Sequence, residues 1–178
     1  MDNFYKFTAA QSETEHARLD LFGDVGGGFW TAGFDESTFA ADMSVIPDDA
    51  ALDVYINSRG GSVFTAMAIR TMLGRHKGKV TIVVAGMAAS AATLITCAKG
   101  AHVVMQKGSM MLVHPVRLDP GSSTAQEMRD GADMLDKVTQ SVREIYAEKT
   151  GMDDQGLDLL MSKESYLTAK EALAMGFA

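Results

Sequence analysis

An α/β fold with a mainly parallel sheet buried on both faces is what this sequence predicts. Three observations carry it. The apolar run Val80-Thr81-Ile82-Val83-Val84-Ala85 lacks the polar alternation of a strand with one wet face. Strand and helix patterns alternate at a spacing of roughly 25–30 residues, which is crossover length. Small residues cluster where strands give way to helices, at Asn57-Ser58-Arg59-Gly60-Gly61-Ser62 and at Gly86-Met87-Ala88-Ala89-Ser90. With 178 residues, 47% of them hydrophobic, the chain suffices for one domain with its own core.

Taken in order, residues 1–17 are polar and aperiodic and are expected as an N-terminal arm, with 18–178 as a single domain. Arg18-Leu19-Asp20-Leu21-Phe22-Gly23 alternates like a short strand. Gly26-Gly27-Gly28 makes a loop before Phe29-Trp30, and 35–41 has helical spacing, with Phe34, Thr38 and Ala41 to one side. Leu52 to Asn57 reads as a strand with Leu52, Val54 and Ile56 on one face. The helix that follows, from Ser62 to about Gly74, carries Val63, Ala66, Met67, Arg70 and Leu73 at three-to-four spacing. Next come a strand over 80–85, a helix over 91–98, and strands over 101–105 and 110–113, the last ending at His114-Pro115. Beyond the loop at 119–123, Met128, Leu135, Val138, Val142, Ile145 and Tyr146 mark one long helix over 124–149. That is more helix than one face of a small sheet needs. Part of it should project, and a projecting apolar stripe predicts a contact between subunits. Thr150-Gly151 stops it. Short helices are expected over 157–161 and 169–175.

Composition narrows the function. A net charge of −7 with no basic stripe argues against nucleic acid as a partner. No apolar stretch approaches the ~18 residues that cross a bilayer. The N-terminus lacks the basic and apolar regions of a signal peptide, so a cytoplasmic protein is expected. The one cysteine, Cys97, allows no internal disulfide, and its apolar neighbours mark a buried small hydrophobe. Thirteen methionines are many for this length. Met67, Met72, Met128 and Met134 are expected as core filler, and Met110-Met111 as lining for a pliable pocket.

The chemistry concentrates at three places. Ser90 follows a buried strand and opens a helix of small residues, where unpaired N–H groups lie beside a hydroxyl. Its plain alternative is a helix N-cap. His114 ends a strand just before Pro115, and an imidazole, titrating near about 6.5, is the usual activator of a serine. A purely structural strand-end histidine is the alternative. His16 in the arm, His76 in a basic turn and His102 at a strand start are less suited. Gly60-Gly61 serves either a tight turn or an open backbone that receives an oxyanion, with Gly61 and Ala91 as the donor pair. The segment lacks the ending of a phosphate loop and the spacing of a dinucleotide fingerprint. No cofactor or metal is expected.

Asn57-Ser58-Arg59-Gly60-Gly61-Ser62-Val63, Gly86-Met87-Ala88-Ala89-Ser90-Ala91-Ala92 and Met111-Leu112-Val113-His114-Pro115 resemble the signature blocks of the Clp protease proteolytic subunit (ClpP) family. The segment from Glu164 to Ala178 resembles that family's closing stretch. The blocks occur in the family's order from about residue 18 to the end, and are closest in flavour to the phage and prophage branch associated with head maturation. The resemblance implies a ClpP/crotonase-like fold of repeated β-β-α units with a protruding handle helix at about 124–149. It implies self-association into rings, stacked heptamers around a chamber that admits unfolded peptide. An AAA+ unfoldase is an implied partner, left open because the arm does not match the family's gating segment. The same resemblance puts the nucleophile on Ser90, the general base on His114, the oxyanion donors on Gly61 and Ala91, and the orienting acid on Glu164. The chain departs from the pattern twice at the site. Glutamate stands at 164 where the family usually has aspartate, so an ordinary helix-preceding charge is the alternative there, with Asp158, Asp154 and Asp153 as fallback carboxylates. Lys163-Glu164 keeps the signs of the Arg-Asp pair that couples rings to activity. Arg59 replaces a common proline. The implied activity is ATP-independent hydrolysis of unfolded polypeptides or phage structural precursors by a Ser-His-acid triad. A non-catalytic ring or scaffold subunit, and a crotonase-type enzyme acting on acyl-thioesters, remain as alternatives.

Overall fold

Alternating apolar side chains at Leu19 and Leu21, at Leu52, Val54 and Ile56, and at Val80, Ile82 and Val84 build the centre of one sheet, all buried. The structure is a computed structural model that describes residues 5–9, 16–27 and 33–178. Its elements are β1 (Tyr5–Thr8), β2 (Ala17–Phe22), β3 (Asp24–Val25), β4 (Gly33–Phe34), α1 (Glu36–Val45), β5 (Leu52–Ser58), α2 (Val63–Arg75), β6 (Val80–Ala89) and α3 (Ala91–Thr96). They continue with β7 (His102–Met105), β8 (Met110–Val113), α4 (Ala125–Thr150), α5 (Asp154–Ser162), β9 (Ser165–Thr168) and α6 (Ala169–Ala174).

The main sheet runs β1-β2-β5-β6-β8-β9, with β7 also on β6. Pairings from β2 through β8 are parallel, and the two edge pairings, β1 with β2 and β8 with β9, are antiparallel. The fold is thus α/β with a mixed sheet, parallel at its centre. Of the expected arm, residues 5–8 form the edge strand β1, and Ala17 already belongs to β2. The expected Gly28 loop and Phe29-Trp30 lie outside the described residues.

Several boundaries differ from expectation for local reasons. The helix expected over 35–41 runs on to Val45, started by Asp35, whose carboxylate accepts the N–H groups of Ser37 and Thr38. The helix expected over 157–161 begins at Asp154, capped by Asp153. Strand β9, which the sequence reading does not contain, forms because Leu167 faces inward beside Met111 while its neighbours stay exposed.

Helix α4 has two unlike parts. Thr124 and Glu127 start it with a reciprocal capping box, and Gly151 ends it in the left-handed conformation at φ 72°. Its only buried residues, Val142 and Tyr146, lie in the last third. None of residues 125–141 is fully buried, and Met128 and Met134 are exposed rather than core filler, at 51% and 42%. Met67 and Met72 do pack against the core.

Candidate active site

Strand β6 changes partners along its length, and the change aims its end at the site. Thr81–Val84 pair with β7, and Met87–Ala89 pair with β8. Between them the register against β5 slips, from Ile56 opposite Val84 to Ser58 opposite Ala88. Asn57 spans this bulge by accepting the Met87 N–H at 3.1 Å. A side chain on Gly86 would begin 2.7 Å from the Asn57 Oδ1 and would displace the amide that holds the Met87 N–H.

At the end of β6 the chain turns sharply into α3 through Ser90, at φ 55° and ψ −129°. Among the described residues only Ser90 and Glu164, glycines apart, have positive φ. Such a backbone costs roughly 1–3 kcal/mol and persists where neighbours over-determine it. The neighbours here are close. A side chain on Gly60 would start 2.6 Å from both the Ala89 carbonyl oxygen and Ser90 Cβ. The Ser90 N–H donates to the Leu112 carbonyl at 2.9 Å. The Ser90 carbonyl accepts the Thr93 N–H at 3.0 Å and the Thr93 hydroxyl at 2.6 Å. The Ser90 hydroxyl makes no capping bond to α3. It occupies the N-cap position without serving as a cap.

Gly61 bridges to Val25 in parallel fashion. The Val25 N–H donates to Gly60 and the Val25 carbonyl accepts from Ser62, at 2.8 and 2.9 Å. By strand alternation the N–H of Gly61 then points away from Val25. Gly61, Ser90, Ala91, His114 and Arg117 line one cavity of about 250 Å³, walled by Val63, Leu94 and Tyr146 among others. The structure therefore brings together four of the five residues expected at the site.

His114 leaves β8 and is half-buried. Its Nδ1 lies 2.6 Å from the Pro115 carbonyl oxygen. A carbonyl only accepts, so Nδ1 carries a proton, and in the neutral ring Nε2 keeps its lone pair. That is the tautomer a general base needs. Among the described residues no hydrogen bond joins Ser90 to His114, as is common before substrate binds.

Glu164 does not line this cavity. Its carboxylate pairs with Arg117, and both side chains are more than half exposed. The β8–β9 ladder ends with Ser165 opposite Val113, so Glu164 directly precedes β9 just as His114 directly follows β8, but its turn backbone at φ 50° takes it out of the pairing. Of the fallback carboxylates, Asp158 pairs with Arg143 at 2.5 Å and Asp153 caps α5. Both line a separate groove of about 760 Å³ that meets the site at Pro115. Asp154 is exposed. Cys97 is buried, and burial pushes its thiol up to about 12, so it is inert.

Three participants escape the sequence reading. Thr93 is one small residue among many, Tyr146 is legible only as part of an apolar stripe, and Arg117 is an isolated loop cation. The signal for Tyr146 is its phenol in an otherwise aliphatic stripe, since a buried Tyr hydroxyl needs a partner.

Residues 41–178 match the family model described as Clp protease. Two similar curated proteins are the ATP-dependent Clp protease proteolytic subunits of Streptococcus gordonii and Streptococcus pneumoniae. Each is 29% identical over 133 residues, covering 72% of this chain and 68% of the relative.

Proposed function

The chain belongs to the Clp protease family, and on that premise we propose that it hydrolyses peptide bonds with Ser90 as nucleophile. The observation that carries this reading is the Ser90 backbone, strained to positive φ at a strand-to-helix turn, with its hydroxyl uncommitted and an imidazole in the same cavity.

Ser90 Oγ attacks the substrate carbonyl and gives its proton to His114 Nε2. The oxygen of the tetrahedral intermediate becomes an anion beside the Gly61 and Ala91 N–H groups, each worth roughly 10²–10³ in rate by analogy with other oxyanion donors. His114 passes the proton to the departing amine as the C–N bond breaks. Water then attacks the acyl-Ser90 ester, with His114 accepting its proton and returning it to Ser90. Meanwhile the Pro115 carbonyl holds the tautomer. Glu164, next to the end of the ladder that His114 leaves, is the acid proposed to stabilise the imidazolium once it leaves Arg117.

Residues 125–141 of α4, none of which is fully buried in the single chain, suit a handle by which subunits stack. Stacked heptameric rings, an AAA+ unfoldase that feeds them, and unfolded polypeptide or phage structural precursors as substrate complete the proposal.

Cleavage of unfolded casein and short fluorogenic peptides by size-fractionated protein tests it. Activity confined to a large particle and absent from Ser90→Ala is expected. One observation favours a second reading, a non-catalytic ring subunit: the hold of Arg117 on Glu164. Hydrolysis in no fraction, with or without unfoldase, would favour that reading.

A further inference from the structure

Resting on the peptidase reading, we propose that Tyr146 is a positioning residue of the oxyanion site, acting through Thr93 on the Ser90–Ala91 peptide.

The Thr93 hydroxyl has one hydrogen and two neighbours. It lies 2.6 Å from the Ser90 carbonyl oxygen and 2.6 Å from the Tyr146 hydroxyl. The carbonyl only accepts, so the Thr93 hydrogen goes to Ser90 and the Tyr146 O–H donates to Thr93 Oγ1. The result is a directed relay, from Tyr146 O–H to Thr93 O–H to the Ser90 carbonyl. A threonine that bonds a carbonyl three residues back is ordinary in helices. A second donor arriving from 53 residues further along the chain is not.

The relay has chemical consequences because Ser90 C=O and Ala91 N–H belong to the same planar peptide. Fixing the carbonyl within the first turn of α3 fixes the N–H at the opposite edge of that plane. Ala91 lines the cavity with Ser90 and His114. Donation into the carbonyl also polarises the peptide and strengthens its N–H as a donor. Both hydroxyls are sealed from water: Thr93 is 0% exposed and Tyr146 2%. Burial raises the Tyr146 phenol above its usual range, which keeps the donor hydrogen in place. Phe177 meets the Tyr146 ring edge-on at 5.5 Å and holds the ring's orientation. Strain at Ser90 explains why such support matters, since the turn has little preference of its own for this peptide orientation.

Tyr146→Phe keeps the ring and removes the hydroxyl. In assemblies hydrolysing a fluorogenic peptide, it should lower kcat about ten-fold relative to wild type, less than the loss of a whole oxyanion donor, and leave KM unchanged. Thr93→Val should do at least as much, Thr93→Ser should restore most of the rate, and adding Tyr146→Phe to Thr93→Val should cost nothing further. A second readout needs no turnover. Ser-Ala occurs once in the sequence, so carbonyl-13C serine with 15N alanine gives a single NMR correlation, from the Ser90–Ala91 peptide. That signal should move in Tyr146→Phe and move back toward wild type in Thr93→Ser relative to Thr93→Val. Loss of Ser90-dependent turnover in the wild type would overturn the peptidase reading, and the NMR signal would still judge the relay. An unchanged signal, or an unchanged kcat in an active protein, overturns the relay.

Discussion

Ser90 and Glu164 share an uncommon backbone and almost nothing else. Both adopt positive φ, 55° and 50°, where side-chain-bearing residues are rarely found. Around Ser90 the backbone is over-determined. Gly60 packs against it, Leu112 takes its N–H, and Thr93 binds its carbonyl twice. Around Glu164 the constraints are few. Its N–H donates to the Met161 carbonyl, and its carboxylate reaches the exposed Arg117. The nucleophile is therefore placed by buried backbone, whereas the acid is placed by an exposed ion pair of the kind usually worth 0–1 kcal/mol. A site built this way has a fixed half and an adjustable half.

Substitutions can break or sharpen that contrast. The largest effect belongs to the fixed half. Ser90→Ala should reduce peptide hydrolysis by about 10⁴-fold or more, read in the same peptide assay, with little change in melting temperature. Gly60→Ala attacks the support instead of the nucleophile. At φ +100°, with its new carbon 2.6 Å from Ala89 oxygen and Ser90 Cβ, it should destabilise the fold by about 2–4 kcal/mol in urea titration. The adjustable half should respond more gently. Arg117→Gln frees the Glu164 carboxylate to turn toward His114, and should raise kcat/KM by at most about five-fold, with the gain greatest at low ionic strength. Smallest in energy is Glu164→Gly. It relieves a left-handed backbone, so the protein should gain about 0.5–1 kcal/mol in stability by thermal unfolding while losing activity. A stability loss there would mean that the Arg117 pair outweighs the strain.

The same contrast explains what was legible in the sequence. The fixed half depends on local signals: glycines where a side chain cannot fit, an apolar run that must be buried, a serine at the strand's end. Gly61, Ser90, Ala91 and His114 could be read from those signals and lie in one cavity. The parallel centre of the sheet was equally legible, from the apolar faces of β2, β5 and β6. What escaped depends on tertiary pairing. β1 and β9 are short edge strands whose inward residues are too few to show a period. The extension of β6 past Ala85 rests on Asn57 spanning a bulge from the neighbouring strand. The exposure of Met128 and Met134 follows from how far α4 outruns the sheet, which a periodic stripe does not reveal. The partnership of Arg117 with Glu164 joins residues 47 apart through exposed side chains, without any local pattern to mark it.

Fluorophosphonate labelling of the intact protein, followed by mass-spectrometric mapping, tests the nucleophile most directly. Ser90 Oγ displaces fluoride from phosphorus only when activated, so labelling should fall on Ser90, approach one per chain, and vanish on unfolding or in His114→Ala. Labelling absent from the folded protein, or equal before and after unfolding, would contradict a serine nucleophile at the β6–α3 turn.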